Sequence, residues 1–163
     1  MTPPMNTEIR PFRGESLSES DIDQMVALFK QLDSDEIADC EKLGLRMTEV
    51  EDFYFADKIK NDVGFIAVCN GKIVGMVSNV DVDEYENAMY VRRLVVDINY
   101  RGNGIGRKLI ERAVKNNNSR GKRTILNVSA RNDAAIALYK SIGFVIYSQT
   151  MVSTDDQTKR DNT

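Results

Sequence analysis

The stretch Val95-Val96-Asp97-Ile98-Asn99-Tyr100-Arg101-Gly102-Asn103-Gly104-Ile105-Gly106-Arg107 decides how this chain is read. An apolar run ends, a glycine-rich loop follows, and the loop opens an amphipathic segment. Ile105, Leu109, Ile110, Ala113 and Val114 recur at helical spacing, which predicts a helix over Gly104–Lys115. Unpaired backbone N–H groups at a helix start, backed by the helix dipole, attract phosphate. Gly102, Gly104 and Gly106 let a ligand approach the backbone closely, and Arg101 and Arg107 add positive charge. The loop is therefore either a pyrophosphate cradle or a turn that simply needs glycine. It has no G-K-[ST], so it is not a Walker loop. The next strand, Thr124–Ala130, has no Asp or Glu to hold a ribose, as a dinucleotide fingerprint expects.

The flanking segments give the architecture. Met89–Asp97 is an apolar, β-branched strand interrupted by Arg92 and Arg93. Before it, Val63–Cys69 and Lys72–Val82 flank Asn70-Gly71, a hairpin signal because both residues tolerate positive φ. Gly75 inside the second strand points to a bulge or a close backbone approach. Asp83–Asn87 is a polar turn. Further upstream, Thr7–Phe12 reads as a strand that Pro11 marks as an edge. Asp21–Leu32 is a helix with N-cap candidates in Ser18–Asp21, and Thr48–Ile59 is a second helix with Thr48 and Glu51 at capping-box spacing. Downstream, the strand Thr124–Ala130 leads to a helix over Asn132–Ser141, closed by Gly143, and then to a strand over Phe144–Val152. Three hairpin-joined strands make an antiparallel meander, and the later β-α-β unit requires a parallel pair. The expected fold is α/β (α+β): one domain over 1–152 with a mixed, mostly antiparallel sheet flanked by helices, followed by a disordered polar tail over 153–163.

Composition narrows the chemistry. The chain has 163 residues, enough for one sizeable core, and no histidine. Zero His removes Ser-His-Asp and Cys-His triads and His-ligated zinc. A net charge of -3 argues against a nucleic-acid-binding surface. Cys40 and Cys69 are too few for a disulfide framework or a Cys-rich metal site, and their scarcity fits a reducing cytoplasm. No metal site is expected. The longest apolar runs, such as Phe65–Cys69, are too short to span a bilayer, and Met1–Arg10 lacks a signal-type apolar run. Met5 is a candidate natural start, with Met1–Pro4 a leader.

Arg101-Gly102-Asn103-Gly104-Ile105-Gly106 resembles the [QR]-x-x-G-x-[GA] loop of the GNAT (Gcn5-related) N-acetyltransferases. Asn132-Asp133-Ala134-Ala135-Ile136-Ala137-Leu138-Tyr139, followed by Gly143-Phe144, is similar to the family's second signature, N-x-x-A-x-x-L-Y with a following G-F. The two stand in the family's order, each opening a helix, and cover Tyr90–Phe144. The resemblance implies acetyl-CoA as co-substrate. Its pyrophosphate would lie on Arg101, Gly102, Asn103, Gly104, Ile105, Gly106 and Arg107. Its pantetheine arm would pair with the backbone of Leu94, Val95 and Val96 as an added strand. The strands Met89–Asp97 and Thr124–Ala130 would splay apart in a V. Asn132 would contact the arm, besides or instead of serving as a helix N-cap. Tyr139 would be the general acid for the departing thiolate; the alternative is a packed aromatic beside Leu138 and Ile142.

The family transfers acetyl by direct attack of an amine, whose proton must leave to a base. Neither splayed strand has a carboxylate within the strand, ahead of the terminal Asp97: the first has Arg92 and Arg93, the second Asn127 and Ser129. Glu84 and Glu86 are the nearest acidic candidates, and a backbone carbonyl with water is another. Acidic runs at Asp33–Glu41, Glu49–Asp57 and Asp81–Glu86 lean the reading toward a cationic acceptor drawn in by field focusing: a small amine, a polyamine, or a protein N-terminus or lysine. Simple solubility explains the same runs. No nucleic-acid or membrane partner is expected. The short C-terminus leaves an edge that a second subunit could pair with, making a homodimer. Two other functions remain in play: a non-catalytic acyl-CoA-binding regulatory module, and an unrelated phosphate-binding domain.

Overall fold

The computed structural model describes residues 6–48 and 51–154, without the side chains of 32–35. The proposed leader and start at Met5 lie outside the described residues, as does the polar tail from residue 155 onward. Strands β1 (Thr7–Arg13), β2 (Val63–Cys69), β3 (Lys72–Asp81), β4 (Ala88–Val96) and β5 (Arg123–Leu126) form one sheet in sequence order. The first three pairings are antiparallel and β4–β5 is parallel. Helices α1 (Glu19–Lys42) and α2 (Asp52–Lys60) fall between β1 and β2, α3 (Ile105–Ser119) between β4 and β5, and α4 (Asp133–Ile142) follows β5. The fold is the expected mixed α/β architecture, and the Pro11 strand is an edge.

The chain divides into two compact units. One comprises Met1–Leu32 and Val50–Asn127; the other comprises Asp33–Glu49 and Val128–Thr163. The first holds the whole sheet. Its core on one face joins Ile22, Met25, Leu28 and Phe29 of α1 and Phe55 and Ile59 of α2 to Ile66, Met76 and Val95 of the strands. Successive strand residues face opposite ways, so Gly75, next to Met76, faces α3. A Cβ there would stand 3.1 Å from Leu109 and 3.4 Å from Ile105. Gly75 also adjoins a register shift, with Ala67 opposite Gly75 and Val68 opposite Ile73. Bulge and close approach thus coincide. The Asn70-Gly71 hairpin forms as expected, with φ of 51° and 77°.

Four elements differ from expectation. Helix α1 continues ten residues past Leu32, to Lys42. No Gly or Pro interrupts that acidic stretch, and the helix ends before Gly44, whose φ is 73°. Helix α2 starts at Asp52 with Glu51 as N-cap and no side-chain cap bond, so Thr48 and Glu51 make no capping box. Strand β5 stops at Leu126, where its pairing with β4 stops. Phe144–Val152 is not a strand: its apolar residues have no ladder partner among the described residues, and strand backbone needs one. Val145 and Tyr147 are each 84% exposed and Met151 is 91% exposed.

Candidate active site

The glycine-rich loop runs from the end of β4 to the start of α3. Asp97 ends β4 buried, with its Oδ1 accepting from the Asn99 N–H at 2.9 Å and its Oδ2 lying 3.6 Å from Lys72 Nζ. A 3-10 turn over Ile98–Tyr100 follows. The Asn103 amide then donates to the carbonyls of Tyr100 and Arg101, at 2.9 and 3.2 Å. Gly102 and Gly104 take left-handed φ of 81° and 77°, which L side chains rarely adopt. Nothing lies within 4 Å of where a Cβ would stand at either glycine, so the space in front of the loop is open. Gly104 is the N-cap of α3 and supplies no capping side chain. The first-turn N–H groups of Ile105, Gly106 and Arg107 therefore have no intrahelical acceptor. Arg107 extends to Glu111 at 3.1 Å. The residues present fit a pyrophosphate.

Strand β4 offers the adjoining edge. Its pairing with β5 runs from Ala88↔Arg123 to Val91↔Leu126. From Arg92 to Val96 that side has no strand partner among the described residues, which is the opening expected of a splay. The Asp97 N–H bonds to Val74 on the β3 side. Since alternate residues of an antiparallel strand bond to opposite sides, Leu94 and Val96 turn their polar groups toward the open side. Arg101 Nε already donates to the Val96 carbonyl at 2.9 Å. The Leu94 N–H and C=O and the Val96 N–H remain for an extended ligand.

The two arginines of β4 sit at an irregularity. Arg93 pairs with Ser78 and Val91 with Asn79, so Arg92 is the extra residue of a β-bulge. The bulge turns two successive side chains onto one face. There Arg92 and Arg93, with Phe29, Tyr54, Phe55 and Lys58, line a cavity of about 260 Å³. The Arg93 guanidinium lies 5.5 Å from the centre of the Phe29 ring, and Lys58 Nζ lies 5.2 Å from that of Tyr54. Arg92 Nη1 stands 3.3 Å from Asp62 Oδ1, a charge contact without hydrogen-bonding geometry. Asp62 is fully buried, and burial pushes its carboxyl above the usual range against the pull of Arg92 and the nearby Ser78 hydroxyl. Asp62 was not among the candidates read from the sequence. The available signal was indirect: two arginines inside an apolar strand demand a buried counter-charge.

The second unit carries Tyr139 and Asn132. Asn132 caps α4, its Oδ1 accepting from the Ala135 N–H at 3.1 Å. Tyr139 is half-buried, with its ring centre 5.6 Å from that of Phe144, and burial raises its hydroxyl pKa above the ordinary 10.0. Glu84 and Glu86 are exposed in the β3–β4 turn. At about 3.3 Å per strand residue, Glu86 lies some 20 Å along the chain from Arg92.

Three carboxylates of the acidic runs have lysine partners among the described residues. Asp52 pairs with Lys30 at 2.8 Å, Asp39 with Lys42 at 3.7 Å and Asp81 with Lys122 at 2.9 Å. No carboxylate is among the residues lining the β4 cavity. Among the described residues no group of three or more His, Cys, Asp or Glu is arranged to hold a metal, and no helix is long and apolar enough to cross a membrane. Cys69 is buried, Cys40 is half-buried, and both are free thiols.

Residues 26–144 match the model of the acetyltransferase (GNAT) family. Over 102 residues the chain is 38% identical to an N-acetylaspartate synthetase of Xenopus tropicalis, covering 60% of this chain and 35% of that protein. Over 77 residues it is 39% identical to the [ribosomal protein bS18]-alanine N-acetyltransferase of Escherichia coli, covering 46% of this chain and 49% of that one. The chain thus spans about a third of the length of the N-acetylaspartate synthetases it matches. A predicted acetyltransferase of Clostridium acetobutylicum, solved with acetyl-CoA, shares the fold at a TM-score of 0.67 and 19% identity, covering 91% of this chain and 96% of that one. Sheet order, loop geometry and the match over most of its length agree, and the chain belongs to the acetyltransferase (GNAT) family.

Proposed function

We propose that this protein is an N-acetyltransferase that uses acetyl-CoA as co-substrate and a primary amine as acceptor. The observation that carries the reading is the uncapped start of α3 behind two left-handed glycines, with open space before them, next to an unpaired length of β4. In this reading Arg101, Gly102, Asn103, Gly104, Ile105, Gly106 and Arg107 hold the pyrophosphate. Leu94, Val95 and Val96 take the pantetheine arm, and Asn132 adds a contact to it.

Acetyl-CoA supplies an activated thioester carbonyl. The neutral amine attacks that carbon, the C–N bond forms and the C–S bond breaks. The thiolate takes its proton from Tyr139, and the nitrogen's proton passes to water. The relatives' names describe amine acceptors, aspartate in one and a ribosomal protein's alanine in another. The cationic acceptor rests on the acidic runs alone, in which Asp52 and Asp81 have lysine partners, while the β4 cavity is lined by cations.

Acetyl-CoA should raise the thermal unfolding midpoint, as any ligand of the native state does. Gly104→Val should abolish the rise, because a β-branched residue is strained at φ of 77° and would project into the cradle. A rise with ATP or NAD but not acetyl-CoA would overturn the reading in favour of another phosphate ligand. Binding without thiol release across an amine panel would favour the non-catalytic module. A homodimer and a cytoplasmic location belong to the same reading. The dimer is supported by the exposed apolar residues of Val145–Met151, and a monomer mass by light scattering would remove it.

A further inference from the structure

Helix α1 reaches two backbone N–H groups of other segments with two glutamines seven residues apart. Gln24 Oε1 accepts from the Ile73 N–H at the start of β3, and Gln31 Oε1 accepts from the Ile98 N–H just past β4, each at 2.9 Å. Seven residues are close to two helical turns, so both side chains leave one face of the helix. We propose that Gln31 is a positioning residue for acetyl-CoA: by holding Ile98 it sets where the glycine-rich loop stands against the open edge of β4. The proposal rests on the acetyltransferase reading above and deepens it.

The entry to the loop shows why one tie matters. Four successive N–H groups, from Asp97 to Tyr100, find acceptors. Asp97 donates to the Val74 carbonyl of β3 at 2.8 Å. Asn99 donates to the Asp97 carboxylate at 2.9 Å and Tyr100 to the Asp97 carbonyl at 2.8 Å. These last two bonds shape the turn over Ile98–Tyr100 from within. The Ile98 bond instead leaves the turn for a residue sixty-seven positions away in α1. Arg101 returns to the Val96 carbonyl within the same segment, and Gly102 and Gly104 follow. Glycines that open the backbone to a phosphate also loosen it. Such a loop is competent to bind only in the fraction of molecules that hold the right geometry, and apparent affinity falls with that fraction.

The ligand makes placement matter again. In the acetyltransferase reading acetyl-CoA lies on two surfaces, the loop and the polar groups of Leu94 and Val96. Ile98 is the second residue after Val96, so it is the joint between them. A ligand that bridges two surfaces gains from both only when their separation matches its own length. Gln31 holds the joint from a helix whose Met25, Leu28 and Phe29 are packed in the core, which makes the anchor firm.

Stability and positioning separate because the two glutamine bonds differ in exposure. Ile98 is 63% exposed, so water takes its N–H when Gln31 is lost, and the fold gives up little. Ile73 is 4% exposed, so its N–H without Gln24 carries a desolvation penalty. Methionine has similar length and helix propensity but only a weak acceptor.

The test is calorimetric titration of the full chain with acetyl-CoA and no acceptor, beside urea unfolding of the free proteins. Gln31→Met should raise Kd about threefold to tenfold, the weight of one hydrogen bond, with the urea midpoint nearly kept. Gln24→Met should lower the midpoint and leave Kd as in the parent protein. Gln31→Glu should recover most of the lost affinity, because a carboxylate oxygen accepts from the same N–H. A parent-like Kd in Gln31→Met, an equal loss of affinity in Gln24→Met, or no recovery in Gln31→Glu would overturn the proposal. A parent protein that does not bind acetyl-CoA would overturn the acetyltransferase reading itself.

Discussion

A tyrosine can protonate a departing thiolate only if it still holds its own proton at the working pH. Burial, with no cation to oppose it, raises the Tyr139 hydroxyl above its ordinary pKa of 10.0. The group is therefore fully protonated near neutrality and available as an acid. The ring rests on Phe144, so a phenylalanine at this position keeps the packing and removes only the proton. Tyr139→Phe should lower kcat by roughly 10²–10⁴, the usual weight of general acid catalysis, with the acetyl-CoA thermal shift unchanged. Turnover equal to the parent protein would falsify the acid role. The sequence singles out Tyr139 because a motif marks it. It does not single out Asp62, because no local pattern marks a carboxylate whose meaning comes from a strand thirty residues away.

At the scale of elements, the sequence was most legible where one local rule decided the outcome. Val63–Cys69 forms a strand over its expected span, because an unbroken apolar run meets a hairpin signal that both φ values obey. The loop before α3 was legible for the same reason: glycines were needed at particular dihedral angles and were present there. Legibility failed where tertiary context decided. The expected helix stops at Leu32, yet nothing in the acidic stretch beyond it breaks a helix, and α1 runs through it. Phe144–Val152 reads as a final strand, but a strand needs a partner and none is present among the described residues. The lysine partners of Asp52, Asp39 and Asp81 within the acidic runs are a matter of tertiary structure and local helix spacing that charge counting does not give. The β4 bulge was the largest omission. Two adjacent arginines in a regular strand would face opposite sides, and only the register shift against Ser78 and Asn79 brings both to one cavity.

For the whole molecule, the Asp62 cluster ties three elements of the fold together. Asp62 lies between α2 and β2, its carboxylate reaches Arg92 of β4, and Gly14 N–H donates to its backbone carbonyl at 2.8 Å. Its carboxyl pKa is raised in the folded state, mainly by burial. Between the ordinary value of 3.8 and the raised one, the folded protein binds more protons than the unfolded chain. This group's contribution to stability is therefore greatest in acid, falls as pH rises through that window, and is constant above it. Asp81 has the opposite sign, since Lys122 lowers its pKa and the stabilisation is lost as pH falls. Asp81 is well exposed, so solvent screening keeps that contribution small. Asp62→Asn isolates the buried group, because asparagine resembles the protonated acid and does not titrate. Urea unfolding of both proteins from pH 4 to pH 8 should show the variant gaining on the parent as pH rises, then a constant difference. A variant that instead loses ground with rising pH would mean that the Arg92 contact outweighs desolvation, since breaking a buried pair usually exposes the penalty of the charge left behind. That result would reverse the sign argued for Asp62. The constant difference at high pH carries the second piece of information: it measures what the fold gives up to keep a buried carboxylate against the arginine of the β4 bulge.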